Sequence, residues 1–574
     1  MKKINYIIFA MAVLIATGCS KSFLDKNPQG ELTAPQLTTQ DGVEGLLTGA
    51  YALLNGNVNG TFGNYGAAPS QWLLGEVTSD NAHKGSENGD QPNMNLLERH
   101  SPTSTNDNLE NVWNRCFEGI ARCNNTLRFL ALVQATEKKF PDARANELTA
   151  EARLLRAHYN FFLVRIFKNV PLITEATTEL AVDNMKDIYP AIVEDLKFAV
   201  ANLTPAFPKG QIGRMNQIAA KAYLGKVYLY QKKYGEALPL FNDVIAARPG
   251  IETIPYTDNF NVNKENGPEA IFAVQHSVGA DGTGGDNGNV GDILNFPYNS
   301  GLPITCCGFF QPSIDLANSF KVTPAGLPFL GAVVPGEVYI SDRGLTKEEK
   351  AAYEVDVEIP FDPRIDYTLG RRGVPYLDWG IMAGDTWIRD AANGGPFLAI
   401  KNVINAADVP ANTGPGNTNV TGLNVNIIRL ADVYLMAAEC EVEVGTVGNA
   451  MILVNRIRAR AALLPKKKVT LVKEGLVDAA VYRVNPYLVF PDQVYARNAV
   501  RAERRLELAL EGHRFYDLVR WGIAKQTLND YFKSEGKYFS YLAPVTMEDR
   551  DEYFPIPQTQ IDRSKGILKQ NPGY

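Results

Sequence analysis

Histidine is scarce in this chain. Five occur in 574 residues, His83, His100, His158, His276 and His513, and none stands at a metal-ligand spacing from another, which excludes a zincin-type centre. HExxH, paired CxxC, GxSxG and phosphate-loop patterns are all absent, so no nucleophile or cofactor cradle is written locally. Basic excess is lacking too: 57 Lys and Arg face 63 Asp and Glu, and nothing steers the chain toward nucleic acid. Long apolar runs are missing after the first 18 residues, which leaves no membrane-spanning helix to expect. Cysteine is sparse. Beyond Cys19 there are Cys116, Cys123, Cys306, Cys307 and Cys440, an odd number for a disulfide framework, and all five are expected to be small buried side chains. Cys116 and Cys123 lie seven apart on a helical pattern, about 10 Å along its axis and too far to bond.

What is present begins with an export signal. Lys2 and Lys3 precede the apolar run Ile7 to Ala16, and Ala16, Thr17 and Gly18 lead directly into Cys19, the pattern of a bacterial lipoprotein whose cysteine is acylated. An ordinary secretory signal is the alternative. Removing residues 1–18 takes away two lysines and leaves 55 basic against 63 acidic side chains, a formal charge of −8. Residues 19–40 are polar and proline-punctuated, a tether. From residue 41 to 250 apolar residues recur at three and four, so helices dominate. The clearest unit is Gln217 to Gly250. There Leu224, Gly225 and Tyr228 on one helix and Ala237, Phe241 and Val244 on the next, closed by Pro249, have tetratricopeptide spacing, with Lys221 where Trp is usual. One such hairpin cannot bury its own apolar face, so neighbours of the same kind are required.

Between 251 and 424 the texture changes to glycine, proline and short strand-like runs such as Glu269 to Gln275. Its segment 279–289 is oxygen-rich. Asp281, Asp286, Asn287 and Asn289 could collect a calcium ion, but the spacing is not that of an EF-hand and no glutamate closes it, which favours a solvated loop and no cofactor. From 425 to 574 helices resume, with Asn426 to Val444, Ala450 to Ala461, Asp492 to Leu510 and His513 to Trp521, before a proline-rich tail. The fold class is therefore mostly α: a tetratricopeptide-like helical-hairpin scaffold, an α-α superhelix, carrying a large irregular insertion with short strands.

Several stretches taken jointly carry a family likeness. RLADVYLMAAEC from Arg429, RAERRLELALEGHRFYDLVRWG from Arg501, YFPIPQTQID from Tyr553, QNPGY from Gln570, AEARLLRAHYNFFLVRIFKNVPL from Ala150, FDPRIDYTL from Phe361 and QPSIDLANSF from Gln311, joined to the signal, resemble the SusD/RagB family of outer-membrane nutrient-binding lipoproteins. Lys168-Asn169 stands where that family more often has a glycine. The resemblance implies a surface-exposed, lipid-anchored outer-membrane protein. The same resemblance implies that it binds oligosaccharides, or in some branches peptides, without hydrolysing them, and passes them to a SusC-like TonB-dependent transporter.

The densest charge pattern, Arg504, Glu507, Glu511, Arg514, Asp517 and Arg520, has an arginine three residues from each glutamate and reads as a structural ion-pair ladder, not as an acid and base pair. No catalytic residue is assigned, although two carboxylates can meet in space in any chain this acidic. Sugar binding needs flat aromatic faces and forked polar side chains. The long polar loop 79–105 offers Asp80, Asn81, His83 and Asn88, and the insertion offers Tyr298, Phe309, Tyr376, Trp379 and Trp387. Trp379 and Trp387 lead these candidates, each having an aspartate and a glycine close by. The competing reading is that each aromatic plugs a small core. A surface glycoside hydrolase and a pure protein-binding scaffold remain the functional alternatives.

Overall fold

Apolar residues at intervals of three and four build helices along most of the chain. The computed structural model describes residues 33–56, 65–179, 181–279, 287–298, 302, 304–331, 334, 336–414 and 417–574. Among these, eleven helices have eight or more residues: α1 (Gln40–Ala52), α2 (Asp107–Gln134), α3 (Asp142–Phe167), α4 (Tyr189–Asn202), α5 (Gln217–Tyr230), α6 (Tyr234–Ala246), α7 (Leu430–Val444), α8 (Val447–Ala461), α9 (Gln493–Leu508), α10 (Arg514–Trp521) and α11 (Ala524–Glu535).

The hairpin of α5 and α6 closes because residue 225 has no side chain. A Cβ there would lie 2.6 Å from Phe241 Cε1, so any larger residue would push the second helix away. Leu224, Tyr228, Ala237, Phe241 and Val244 are all buried in the seam, and full burial of a side chain such as Phe241 contributes about 2–3 kcal/mol. Lys221, at the usual Trp position, instead reaches Asp243 at 2.6 Å. Neighbours stack as the repeat requires: α2 on α3, α3 on α4, α4 on α5, α5 on α6, α6 on α7 and α7 on α8. The contact of α6 with α7 bridges the whole interval between them. Residues 251–424 are thus looped out of a continuous helical stack.

The neck of that excursion is a pair of antiparallel strands. Ala270–Val274 pairs with Val425–Arg429, with Ala270 opposite Arg429 and Val274 opposite Val425. Residues 425–429, expected to open a helix, are strand because β-branched Val425, Ile427 and Ile428 find a ladder partner there before α7 begins. The insertion keeps a core of its own around Phe296, Tyr376, Met382, Trp387, Leu398 and Ile400. The loop expected at 79–105 is also different: it contains a strand, Ala82–Gly85, paired with Phe309–Pro312, and a helix, Pro92–Glu98. Helix α11 and the hairpin of Lys468–Leu471 with Gly475–Asp478 have no counterpart in the sequence reading. Cys116, Cys123 and Cys440 are free and buried. Cys306 and Cys307, expected to be unpaired, are bonded to each other, the cis peptide between them bringing their Cα atoms to 3.0 Å.

The charged motifs fold into two buried networks that lock α9 and α10 to everything else. Glu507 receives Arg364 at 3.0 Å, Arg429 at 2.8 Å and Arg460. Glu503 receives Arg364 at 2.7 Å and Arg458 at 2.9 Å, and Glu511 receives Arg429 and Lys401, both at 2.6 Å. Glu269, next to the neck strand, takes Arg429 and Arg460, and Asp362 takes Arg364 at 2.8 Å. Five cations therefore meet five carboxylates, and the cluster is neutral. In the second network Lys226 of the central hairpin and Arg504 share Asp432, each at 2.9 Å, while Asp517 and Glu439 hold Arg504 and Arg520. The ladder is tertiary: Arg504 and Arg514, three residues from Glu507 and Glu511, pair elsewhere.

Burial acts to raise the Glu507 carboxyl, but Arg460, Arg429 and Arg364 outweigh it and hold the group far below the usual carboxylate range. Removing that charge leaves five buried cations on four carboxylates, one positive charge unmatched, a loss that costs about 3–5 kcal/mol. Glu507→Gln is expected to lower the unfolding free energy from denaturant titration by that amount, and a change under about 1 kcal/mol would show that the cluster is not a clamp.

Candidate functional site

The segment after Glu76 is drawn into the body by its own polar side chains. Glu76 accepts the N–H groups of Gly512 at 2.8 Å and His513 at 3.0 Å, which places a carboxylate at the N-terminus of α10, where the helix dipole favours one. Asn81 donates to Glu76 at 2.8 Å and accepts from Arg505 at 2.9 Å. Asp80 is gripped by both nitrogens of the Arg514 fork at 2.7 Å. Burial would raise its carboxyl, but Arg505 and Arg514 bring it down to about 2. His83 is fully buried between Glu98 and Glu535, 3.1 Å from each. Burial disfavours the imidazolium, and the hydrogen bonds to Glu535 and Glu98 overcome it, raising the group to about 9.

Asp80, Asn81 and His83 therefore do not face solvent as the sequence suggested; their donors and acceptors are spent on partners inside the protein. Asn88 alone of the four is exposed, and its side-chain oxygen accepts from Arg99 at 3.0 Å.

The aromatics divide in the same way. Phe309 is buried edge-on against Trp72. Tyr376 is buried, with its hydroxyl donating to the Ala399 carbonyl and its ring edge-on to Trp387 at 5.7 Å. Trp387 is 7% exposed, and half-buried Trp379 donates its indole N–H to the Ile404 carbonyl at 2.9 Å. The two tryptophans belong to the insertion's own core and its edge, so the leading sequence candidates are not open platforms. Tyr298 is 45% exposed.

Around Tyr298 the structure brings together residues that the sequence reading did not assemble. Its backbone N–H donates to the Trp387 carbonyl at 2.9 Å. The Arg389 guanidinium lies 5.0 Å from its ring centre. Arg389 is itself held by Glu87 and Asp90, at 2.7 and 2.6 Å, and by the Ser86 hydroxyl at 3.0 Å. Gly308, at φ +75°, permits this approach, because a Cβ there would lie 3.3 Å from the Cβ atoms of both Arg389 and Tyr298. The bonded pair Cys306–Cys307 is tied to the preceding segment: Phe296 N–H donates to the Cys306 carbonyl at 2.9 Å and Cys307 N–H to the Leu294 carbonyl at 2.7 Å.

The same backbone turn, Gly384–Trp387, contributes Asp385 to an open cleft of about 460 Å³, whose other walls include Ile340, Arg343, Lys350, Ala391 and Tyr538. An exposed aromatic ring with a fixed guanidinium, tied through one turn to a cleft of drug-sized volume, can stack an apolar sugar face and fork-bond its hydroxyls. The only sequence signal for Arg389 was its place two residues after Trp387; Arg343 had none.

Among the described residues no group of three or more His, Cys, Asp and Glu side chains could hold a metal ion. Asp281 and Asp286 lie outside the described residues. Asn287 is exposed, with its carbonyl accepting from Ser277 N–H at 3.1 Å, and Asn289 is buried, donating to Asp292 at 2.7 Å. Cys19 also lies outside them. No described helix is long and apolar enough to cross a membrane.

Comparison with known proteins finds two family profiles. One, described as the SusD family, matches residues 268–574, and another, described as starch-binding associating with outer membrane, matches residues 22–229. SusD-like protein P25 of Formosa agariphila is 25% identical, with all of both chains covered, and a SusD-like protein of Bacteroides ovatus is 24% identical over 96% of this chain and 89% of the relative. Among solved structures, a laminarin binding SusD-like protein superposes with TM-score 0.65 at 24% identity, covering 93% of this chain and all of that one. Surface glycan-binding protein A from Bacteroides thetaiotaomicron in complex with laminarihexaose superposes with TM-score 0.64 at 19% identity, covering 93% and 99%.

The position of His83 has a consequence for stability. Its folded value lies above the ordinary 6.5, so the stabilisation is fully present below pH 6.5 and is lost as the pH rises through about 9, an effect on the order of 3 kcal/mol. Urea midpoints are expected to fall between pH 6.5 and 9.5 in the wild type, and that fall should vanish in His83→Gln; an equal fall in both would contradict the assignment.

Proposed function

The chain belongs to the SusD family, and on that premise we propose that it is a cell-surface lipoprotein that binds an oligosaccharide or polysaccharide and delivers it, unhydrolysed, to a SusC-like TonB-dependent transporter of the outer membrane. The observation that carries the reading is the exposed Tyr298 ring with Arg389 fixed beside it, its backbone bonded to the Gly384–Trp387 turn from which Asp385 lines the 460 Å³ cleft. Names of similar proteins support it, since a laminarin binding SusD-like protein and a laminarihexaose complex share this fold. The description of a starch-binding protein associating with the outer membrane agrees with the location. Binding without hydrolysis fits the cleft, because its two carboxylates, Asp342 and Asp385, are already ion-paired with Arg372 and Lys350, whereas a glycosidase needs one acid free to give a proton and one base free to accept it. Acylation of Cys19 supplies the anchor, and Cys19→Ala is expected to move the protein from the membrane to the soluble fraction; unchanged membrane retention would contradict lipid attachment.

Calorimetry and affinity electrophoresis against a panel of oligosaccharides that includes laminarihexaose test the binding reading. Retardation without release of reducing ends is expected, and Tyr298→Ala should weaken binding by about tenfold, since a lost stacking contact is worth about 1–1.5 kcal/mol. Trp387→Ala should instead lower stability by about 3–5 kcal/mol. Appearance of reducing ends would favour a hydrolase, and silence on every glycan would favour a scaffold.

A further inference from the structure

The cleft lined by Asp385 carries two cations, Arg343 and Lys537, that no carboxylate pairs among the described residues. Its walls hold Arg343, Lys350, Lys537, Asp342 and Asp385. Both carboxylates are taken: Asp342 receives Arg372 at 3.0 Å, and Asp385 receives Lys350. Among the described residues Arg343 and Lys537 have no carboxylate partner, although Glu535 and Asp390 lie near enough for Arg343 to feel their charge. Arg343 is nonetheless held firmly. Its two terminal nitrogens donate to the backbone carbonyls of Ala391 and Tyr538, and its guanidinium lies 3.9 Å from the centre of the Phe539 ring.

That anchoring spends two of five N–H donors and none of the positive charge. A guanidinium clamped on neutral acceptors at a cleft wall is a preorganised anion receptor, because its rotamer entropy is already lost and no carboxylate is within ion-pair distance of it. Lys537 is exposed on the same wall and adds a second, mobile charge. Arg364, Arg371 and Arg429, by contrast, each face a carboxylate.

We propose that this cleft receives an anionic substituent of the glycan, a uronate carboxylate or a sulfate ester, against Arg343 and Lys537. The ligand is thus an acidic polysaccharide whose apolar sugar face stacks on Tyr298 while its charge enters the cleft. This rests on the glycan-binding reading above.

The test is affinity electrophoresis and calorimetry of the full chain in detergent micelles with two matched pairs of probes: polygalacturonate and its methyl ester, and a sulfated galactan and its desulfated backbone. At least one acid form should bind about tenfold more tightly than its neutral partner, the pair that shows the difference identifying carboxylate or sulfate, and the advantage should shrink as salt is raised. Arg343→Gln and, separately, the exposed Lys537→Ala should remove the preference for the acid form, and Lys537→Ala should leave binding of neutral laminarihexaose unchanged. Equal affinity for acid and neutral forms, retention of neither acid, or unaltered preference in both variants would overturn the proposal. About tenfold weaker binding of acid and neutral glycans alike in Tyr298→Ala, together with a surviving neutral-glycan affinity in Lys537→Ala, keeps the two readings separable.

Discussion

Glu507 is the point on which this structure turns. Three arginines reach it from three distant parts of the chain, Arg364 from the insertion, Arg429 from the end of the neck strand and Arg460 from α8. A buried carboxylate with one cation removed would be costly, and so would any of the arginines alone. With charges matched five to five, the cluster admits only one arrangement of insertion, neck and C-terminal helices. Lys226 and Asp432 extend the same logic to the central hairpin. Such clusters are weak arguments for stability against an apolar core, and strong ones for register: each charge specifies which segment must sit opposite it.

Specificity of that kind is what a looped-out insertion needs. Residues 251–424 leave a helical stack that continues without them, α6 packing directly on α7, so the stack does not itself dictate how the insertion is oriented. The ion clusters and the paired neck strands do. The result is a firm base, with the insertion's small core seated on it and one face of turns left open. There Gly308 and the Gly384–Trp387 turn set Tyr298, Arg389 and Asp385 in relation to one another.

The helices were legible because a period of 3.6 is a local property: α3 was read at both ends, and the seam residues of α5 and α6 were read individually. Partners 400 residues apart are not local. Asp80 looked like a solvent-facing loop aspartate, and nothing near it in sequence announces Arg514; His83 likewise gives no hint of Glu535. The tryptophans misled for a related reason. A glycine close by each of them favours a binding platform in the sequence, yet the left-handed turns at Gly380, φ +104°, and Gly384, φ +70°, are also what folds a chain back so that Trp387 enters a core. The family motifs pointed to the fold because they encode the ion clusters. They pointed past the ligand face, since Tyr298, Arg343 and Arg389 lie outside them.

If the base is rigid and the open face alone meets ligand, hydrogen exchange with and without a bound glycan measures that division directly. Protection is predicted at residues 86–90, 298, 340–350, 384–392 and 537–539, with α5 and α6 unchanged. Protection concentrated on the α5 and α6 hairpin, with none around Tyr298, would contradict the account.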